Sequence, residues 1–198
     1  MSPKLITALG NPGSEYKNTR HNIGFDVLDT FCEKYKISKK KEDKFSSWYG
    51  KGNVVLGNNQ YDLILAWPTT FMNNSGNAVS KLLSWFKLEP KDLIVVHDEV
   101  AINLGKVRLN FDSGAAGHHG VESIIQMIGG VKEFTRLRVG VGPDPGGDKR
   151  RDFVLERFTS DEEIIVNKVI DVSVNALEDL ITNDVEKVMN KYNGVEIN

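Results

Sequence analysis

The stretch Leu93–Asp98, LIVVHD, is a short continuous apolar run that ends in a histidine and a carboxylate. Such a run is typical of a strand buried within a sheet, with polar residues at its carboxyl end. Other period-two and short apolar runs predict six further strands, at about Lys4–Leu9, Ser46–Lys51, Asn53–Leu56, Tyr61–Ala66, Lys106–Asn110 and Thr135–Val141. The sequence therefore predicts a sheet of about seven strands.

Apolar residues three and four positions apart predict helices between these strands. The stripes are Phe25, Leu28, Cys32 and Tyr35 for the first helix and Ala78, Leu82 and Phe86 for the second. Later helices are predicted at about Val121–Ile128, at Asp161–Thr182 with Ser160 as the N-cap, and at Asp184–Tyr192. Because strands and helices are mixed without a break in composition, residues 1–198 are predicted to form one α/β domain.

The composition of the 198-residue chain is that of an ordinary globular protein, with 40% hydrophobic and 26% charged residues. It argues against disorder and coiled coil, and no apolar run approaches the roughly 20 residues that span a bilayer. The net charge of −2 excludes binding of nucleic acid by bulk charge, so any polyanion site has to be a local patch. The single cysteine, Cys32, and the absence of a signal-peptide pattern predict a cytoplasmic protein without internal disulfides.

Four polar loops follow predicted strands, and they concentrate Asn, His, Gly and Pro. They span Gly10–Asn22, Pro68–Asn74, Asp98–Gly105 and Ser113–Gly120. In open α/β sheets, ligands bind in the crevice beyond the carboxyl ends of the strands. The four loops therefore predict a functional site at one edge of the sheet.

His21 and Asp98 are the candidate catalytic pair in these loops. A histidine titrates near neutral pH and acts as a general base when a partner orients its ring. A carboxylate supplies such a partner, because it selects the tautomer and leaves the other ring nitrogen free to take a proton. From the residues alone, an exposed loop histidine and an acidic residue that merely begins a loop remain alternatives.

Asparagines in two of the loops are further candidates. Asn73 precedes a predicted helix and is placed to donate a hydrogen bond to a developing oxyanion, with Phe71 and Met72 as core or as an apolar wall. Asn11 is the other candidate for a functional asparagine, and the alternative is that it only forms a turn. Asn22 is a plausible N-cap of the first helix.

The glycine-rich run Gly114–Gly120, which contains His118 and His119, precedes a helix whose backbone amides suit an anion. It does not match a phosphate-binding loop, and Gly10–Gly13 does not match a dinucleotide fingerprint, so no nucleotide cofactor is expected. The four histidines of the chain, His97 among them, show none of the spacings of zinc sites, so no metal is expected.

Basic residues cluster in places that suit phosphate binding. Arg136 and Arg138 alternate along a predicted strand and face one side, and Arg108 lies near the end of another strand. The run Lys149–Arg151 follows a turn rich in Gly, Pro and Asp. The run Lys39–Lys41 is interpreted as a solvated surface.

Several separated motifs occur along the chain. They are Gly10-Asn11-Pro12-Gly13, Tyr16, Thr19-Arg20-His21-Asn22, Gly24, Pro68-Thr69-Thr70-Phe71-Met72-Asn73, Ser75-Gly76, His97-Asp98-Glu99 and Gly117-His118. In this order they closely resemble the motifs of bacterial-type peptidyl-tRNA hydrolases. The resemblance extends from Lys4 to about Leu180, and each motif stands between matching elements.

The resemblance implies a monomeric α/β domain with a twisted mixed sheet flanked by helices. It also implies a metal-free esterase that releases tRNA from the peptidyl-tRNA of stalled or aborted translation. By motif match, His21 activates water and Asp98 orients His21. Asn11 and Asn73 position the substrate and stabilise the oxyanion, while Met72 packs beside them.

The match also implies the substrate contacts. The remaining residues of the substrate-binding set are Tyr16, Phe71, His118 and His119. Arg138 and Lys149 match basic positions that bind tRNA phosphate, and Arg108 is expected to substitute for a family basic residue that is Asn110 here. The expected partner is peptidyl-tRNA, bound through its acceptor stem and nascent peptide, with no metal, cofactor or membrane.

Two further departures from the family pattern are His119, where the family usually has Asn, and Trp67, where it often has Lys. Two other functions remain alternatives to this esterase. A non-catalytic RNA-binding relative has no need for an intact His21 and Asp98. A small-substrate esterase has no need for the separated basic groups, which favour a long polyanionic substrate.

Overall fold

The computed structural model describes residues 3–197, which form one mixed β-sheet with helices on both faces. The strands are β1 (Lys4–Ala8), β2 (Lys40–Glu42), β3 (Ser47–Leu56), β4 (Asn59–Pro68), β5 (Leu93–Asn103), β6 (Val107–Phe111) and β7 (Thr135–Gly142). The helices are α1 (Ile23–Tyr35), α2 (Ser75–Phe86), α3 (His119–Met127), α4 (Lys149–Leu155), α5 (Ser160–Thr182) and α6 (Val185–Tyr192). Short 3-10 turns connect several of these elements.

The order of the strands decides where the loops meet. It is β2-β3-β4-β1-β5-β7-β6. The four central strands, β4, β1, β5 and β7, run parallel, whereas β2, β3 and β6 pair antiparallel at the flanks. The prediction of a seven-stranded mixed α/β sheet is therefore confirmed. Because the central strands are parallel, their carboxyl ends lie at one edge, where ligands bind in open α/β sheets.

Two apolar layers hold the helices on the sheet. On one face α1 packs against α5, and the side chains of Phe31 and Leu177 are completely buried there. On the other face α2 packs against α3, with Leu82 and Ile124 completely buried. Burial of a side chain of this size stabilises the fold by about 1.5–3 kcal/mol. Cys32 lies in the buried layer of α1, as its apolar stripe predicts.

The flank of the sheet that is formed by β2 and β3 differs from the prediction. β3 is one strand of ten residues rather than two strands separated at Gly52. A Cβ atom at Gly52 would lie 2.3 Å from Cδ1 of Ile37, so this glycine admits the isoleucine instead of ending the strand. The run Lys39–Lys41, interpreted as a solvated surface, contributes to the edge strand β2. Exposed lysines are common on edge strands because they discourage pairing with other chains.

One prediction about a strand end was wrong, and one helix was not predicted. Asp98 does not begin a loop, because β5 continues to Asn103 and Asp98 pairs with Val139 of β7. The basic run Lys149–Arg151 begins α4, a helix of seven residues that is too short for a repeating apolar stripe to indicate it. No helix within residues 3–197 combines the length and the hydropathy needed to cross a membrane.

The start of α5 is set by a capping box one residue earlier than predicted. Thr159, not Ser160, is the N-cap, and its Oγ1 accepts a hydrogen bond of 3.3 Å from the backbone N–H of Glu162. The Glu162 carboxylate in turn accepts a hydrogen bond of 2.8 Å from the backbone N–H of Thr159. Two backbone donors at the helix start are thereby satisfied.

Candidate active site

His21, Asp98 and His118 meet at the carboxyl edge of the central strands. His21 lies in a 3-10 turn just before α1, Asp98 lies in β5, and His118 is the N-cap residue of α3. The end of β1 is level with this part of β5, because the backbone N–H of Leu9 donates to the carbonyl of Val96 at 2.9 Å. Three separate chain segments therefore deliver one polar cluster to the predicted edge.

Both imidazoles bind the same carboxylate oxygen. Nδ1 of His21 lies 2.8 Å from Oδ1 of Asp98, and Nε2 of His118 lies 3.0 Å from that oxygen. An ionised carboxylate only accepts hydrogen bonds, so His21 donates through Nδ1 and presents Nε2 as its basic nitrogen. His118 accepts a hydrogen bond at Nδ1 from the backbone N–H of Val121, which places its proton on Nε2. The hydrogen bonds thus select one tautomer for each ring.

The electrostatics of the cluster keep Asp98 ionised. Its side chain is 2% exposed, and burial by itself raises the pKa of the carboxyl group. Attraction to His21 and His118, together with their hydrogen bonds, outweighs burial and holds the pKa of Asp98 well below its ordinary value. For His21, burial opposes the charged imidazole, yet the Asp98 carboxylate raises its pKa above the ordinary 6.5. The pair is therefore built to favour a proton on His21.

His97 packs against the cluster on its buried side, a role that the sequence did not predict. It is buried, and its Nδ1 donates to the backbone carbonyl of Asp98 at 2.6 Å. Its ring centroid lies 4.5 Å from that of His118 in an edge-on arrangement. Burial, and then the proximity of His118, lower the pKa of His97 well below 6.5, so this ring is neutral. A histidine directly before the candidate aspartate was the available sequence signal.

Asn11 is held in place by Asn22. The side chain of Asn22 accepts from the backbone N–H of Asn11 at 2.9 Å and donates to its carbonyl at 3.0 Å. Asn22 does occupy the N-cap position of α1, but its side chain makes no capping bond, so the predicted capping role was wrong. Oδ1 of Asn11 accepts from the backbone N–H of Met72 at 2.9 Å. Within residues 3–197, Nδ2 of Asn11 has no hydrogen-bond partner and is the donor left for a substrate.

An apolar rim borders the cluster. The rings of Tyr16 and Phe71 are 6.4 Å apart in an edge-to-face arrangement, and Phe71 is exposed. Met72 is buried against the start of α3, where a Cβ atom at Gly120 would lie 2.5 Å from its sulfur. Asn73 follows on the exposed side of its turn. The structure thus places Asn11 and Met72 in contact and leaves Asn73 at the surface.

His119, the departure from the family pattern, does not join the cluster. It is the first residue of α3, and its side chain is 72% exposed. Its Nδ1 lies 3.7 Å from a carboxylate oxygen of Glu122, one turn further along the helix. A substrate contact by His119 therefore stays a prediction.

The arginines that were predicted to bind phosphate differ in whether protein groups already occupy their guanidinium donors. Arg136 is buried, and its guanidinium binds the carbonyls of Ser113 and Gly114, so it holds the loop before α3 and does not face solvent. The expectation that Arg136 contributes to an exposed phosphate site was wrong, because its donors are needed to satisfy these carbonyls.

Arg138 faces the same side of the sheet and also has protein partners. It binds Glu99 through Nε at 3.1 Å and through Nη2 at 2.7 Å, and it donates to Oδ1 of Asn110 at 3.0 Å. Arg108 and Lys149 are exposed. Of the three residues predicted to bind tRNA phosphate, Arg108 and Lys149 are therefore more accessible to a phosphate than Arg138.

Arg20 has a structural role that the sequence did not predict. It is buried, and its guanidinium binds the Glu162 carboxylate at 2.8 Å between the rings of Phe153 and Phe158. The ring centroids lie 4.5 and 4.7 Å from its guanidinium carbon. Arg20 therefore fastens the turn that carries His21 to α4 and α5. Its place directly before the candidate histidine was the only sequence signal.

His21, Asp98 and His118, which we call the triad, also have the kinds of side chain that bind metal ions. The ligand atoms of His21, Asp98 and His118 lie within 4.8 Å of one another, a convergence that the sequence spacing did not reveal. At 2.8 and 3.0 Å, however, both imidazole nitrogens are at hydrogen-bond distance from a single oxygen. Each contact is satisfied by a proton, and a metal would have to replace both protons.

The chain is similar to known proteins over nearly its whole length. The family model described as peptidyl-tRNA hydrolase matches residues 5–198. A peptidyl-tRNA hydrolase of Clostridium botulinum (strain Alaska E43) is 38% identical over 194 residues, covering 98% of this chain and 97% of the relative. One from Clostridium perfringens (strain 13) is 41% identical over 193 residues, covering 98% of each.

Solved structures agree with this similarity. The crystal structure of peptidyl-tRNA hydrolase from Acinetobacter baumannii superimposes with a TM-score of 0.91 at 34% sequence identity. The match covers 99% of this chain and 97% of that structure's chain.

Proposed function

The chain belongs to the peptidyl-tRNA hydrolase family, and we propose that His21 and Asp98 perform the chemistry of that family here. The enzyme hydrolyses the ester that joins a peptide to tRNA. The observation that carries the residue assignment is the 2.8 Å hydrogen bond between Nδ1 of His21 and Oδ1 of Asp98. It leaves Nε2 of His21 as a basic nitrogen at the edge of the sheet.

In this mechanism Nε2 of His21 removes a proton from a water molecule as the water oxygen adds to the ester carbonyl carbon. The ester carbonyl becomes a tetrahedral oxyanion, and Asp98 stabilises the imidazolium that forms. When the intermediate collapses, the bond to the ribose oxygen breaks and His21 returns its proton to that oxygen. The products are the peptide carboxylic acid and tRNA with a free hydroxyl.

The oxyanion requires hydrogen-bond donors that are already in place. Asn11 supplies one, because the Met72 backbone holds its Oδ1 and leaves Nδ2 to donate. Asn73 at the exposed rim supplies a second contact once substrate covers it. Tyr16 and Phe71 provide an apolar wall for the peptide side of the ester.

His118 positions the site through Asp98 and borders the substrate at the start of α3, and we assign His119 to the rim of the same loop. Arg108 and Lys149 are assigned to tRNA phosphates, because their charges are exposed. Arg138 binds tRNA phosphate only through the exposed part of its guanidinium, because Glu99 and Asn110 occupy the rest.

We further propose that the enzyme is a monomer, that its activity needs no metal and that it acts in the cytoplasm. The proton-satisfied triad supports metal independence. The substrate, a product of translation, supports the location. The non-catalytic alternative loses support, because the chain's relatives are named hydrolases and its His21–Asp98 pair is assembled.

The test is the release of labelled N-acetyl-aminoacyl groups from tRNA by wild type and His21→Ala, each with and without a chelator. We expect wild-type turnover in both conditions and a loss of about a thousandfold or more in kcat for the variant, with tRNA affinity retained. Unchanged turnover in the variant would overturn the role of His21. Loss of wild-type turnover with chelator, restored by a divalent metal, would overturn metal independence.

A further inference from the structure

A cluster of four aromatic rings lies between β3 and α2, outside the site described above. Phe45 is its buried centre, with ring centroids 5.2 Å from Tyr49, 5.8 Å from Trp85 and 5.8 Å from Phe86. Trp85 is 60% exposed, although Phe45 packs against it edge-on. The indole is therefore held in a defined orientation while most of its surface faces solvent.

Four lysines surround this cluster, and we call the eight residues the lysine–aromatic patch. Lys44 lies 4.1 Å from the ring centroid of Trp85, Lys51 lies 4.7 Å from that of Phe86, and Lys40 lies 5.5 Å from that of Tyr49. The fourth, Lys81 of α2, donates to the hydroxyl of Ser46 at 2.9 Å. The rings and this hydroxyl localise the four ammonium groups.

The charges of the patch are not neutralised. Within the described residues, none of its four lysines forms an ion pair with a carboxylate. Lysines elsewhere in the described chain do so, among them Lys34, Lys39, Lys41, Lys91, Lys106 and Lys191. Because the chain as a whole carries a charge of −2, the patch is a local concentration of positive charge. Such a surface attracts a polyanion.

The groove in the patch has the chemistry of a nucleotide site. Its volume is about 650 Å³, and its lining residues are Lys44, Phe45, Ser80, Lys81, Ser84 and Trp85. Ammonium groups bind phosphate, hydroxyls bind phosphate or ribose, and an exposed indole stacks with a base. No carboxylate is among the lining residues to repel an RNA backbone.

The patch continues to the rim of the active site. The carbonyl of Ser46, whose hydroxyl binds Lys81, accepts a hydrogen bond of 2.8 Å from the backbone N–H of Thr69. Thr69 stands two residues before Phe71 of the apolar rim. In the strand order, β2 and β3 lie at one end of the sheet, whereas β7 and β6, which carry Arg138 and Arg108, lie at the other. The patch is therefore a separate surface beside the same site.

We propose that the lysine–aromatic patch binds the substrate's tRNA, with phosphates at Lys44 and Lys81 and an unpaired base against Trp85. This inference rests on the proposed function, because the RNA is that of the same substrate. It assigns tRNA recognition to both flanks of the sheet.

The test uses full-length enzyme and deacylated tRNA, with affinity measured by fluorescence anisotropy over a series of salt concentrations. The double variant Lys44→Gln/Lys81→Gln should lower the slope of log affinity against log salt by about 1.5, because each lost phosphate contact contributes about 0.7–0.9. Trp85→Ala should weaken binding by about fivefold or more, and Trp85→Phe should restore part of the loss. In hydrolysis of N-acetyl-aminoacyl-tRNA, the double variant should have a higher KM than wild type and an unchanged kcat.

The matched control is Lys91→Gln, which removes one exposed lysine charge that is paired with Glu89 outside the patch. It should leave the salt slope unchanged. An unchanged slope in Lys44→Gln/Lys81→Gln would overturn the proposal, as would binding to phosphatidylglycerol vesicles that this variant abolishes without a change in tRNA affinity. A failure of the proposed function looks different, since it would appear as undiminished kcat in His21→Ala.

Discussion

Replacement of Asp98 by Asn isolates the charge of the catalytic pair. Both imidazoles bind the same oxygen, Oδ1, so an asparagine whose amide oxygen takes that place retains both hydrogen bonds. The volume of the side chain is also conserved in a site that is 2% exposed. The substitution therefore removes the negative charge while it preserves the positions of His21 and His118.

The expected loss follows from the charge that His21 gains during the reaction. Two unit charges about 4 Å apart interact by about 4 kcal/mol at the effective dielectric constant of about 20 that suits protein sites. Each 1.36 kcal/mol changes a rate tenfold. We therefore expect kcat of Asp98→Asn to fall about a thousandfold, with little change in KM.

The pH profile gives an independent signature. In the wild type, burial lowers the pKa of His21 but Asp98 outweighs it, so the net pKa is raised. Without the negative charge, the Coulombic attraction that raises the pKa is lost while burial still lowers it, so the pKa of His21 falls. Because the base must be neutral, the acid limb of kcat/KM should move to lower pH in Asp98→Asn, while the plateau falls.

The assay is hydrolysis of N-acetyl-aminoacyl-tRNA from about pH 5 to 9, with circular dichroism to verify the fold. Asp29→Asn is the matched control, because it removes a carboxylate that pairs with Lys39 on the surface of α1, away from the triad. An acid limb that stays in place in Asp98→Asn would refute the assignment of the titrating base. A plateau that falls less than about tenfold would refute the electrostatic role of Asp98.

Three further predictions concern stability and positioning. Asn22→Ala removes the brace of the loop after β1, so kcat should fall at least about tenfold and the free energy of unfolding in urea should fall by about 1–3 kcal/mol; full activity would contradict the brace. Gly76→Ala places a Cβ atom 2.1 Å from the backbone oxygen of Ser123 and should destabilise the protein by about 3 kcal/mol, whereas Gly114→Ala, with no atom within 4 Å, should be tolerated in the same urea titration. The pKa of Asp98 is lower in the folded than in the unfolded protein, so its contribution to stability is complete above about pH 5 and begins to fall near pH 4. The loss continues as the pH drops toward the lowered pKa of the folded protein. Urea unfolding at pH 7 and pH 3 should therefore show that the stability difference between wild type and Asp98→Asn is smaller at pH 3.

The class of fold and the edge of the site could be predicted from local patterns. A run such as Leu93–Val96 is apolar at every position because both faces of a parallel strand are buried, and a stripe such as that of α1 repeats because a helix turns every 3.6 residues. These periods depend only on near neighbours in the chain. Gly52 shows their limit, because only the nearby Ile37 explains why the strand continues through a glycine.

The polar partnerships were decided by tertiary structure. Arg136 and Arg138 look alike in sequence, yet one holds the loop before α3 and the other binds Glu99. Arg20 meets Glu162 across 142 positions, and His118 shares one oxygen of Asp98 with His21. Local periodicity specifies which face of an element is buried, but a polar group pairs with whichever partner the packed elements bring within about 3 Å. The candidate residues were therefore readable from the sequence, whereas their division into catalytic, bracing and binding contacts required the folded chain.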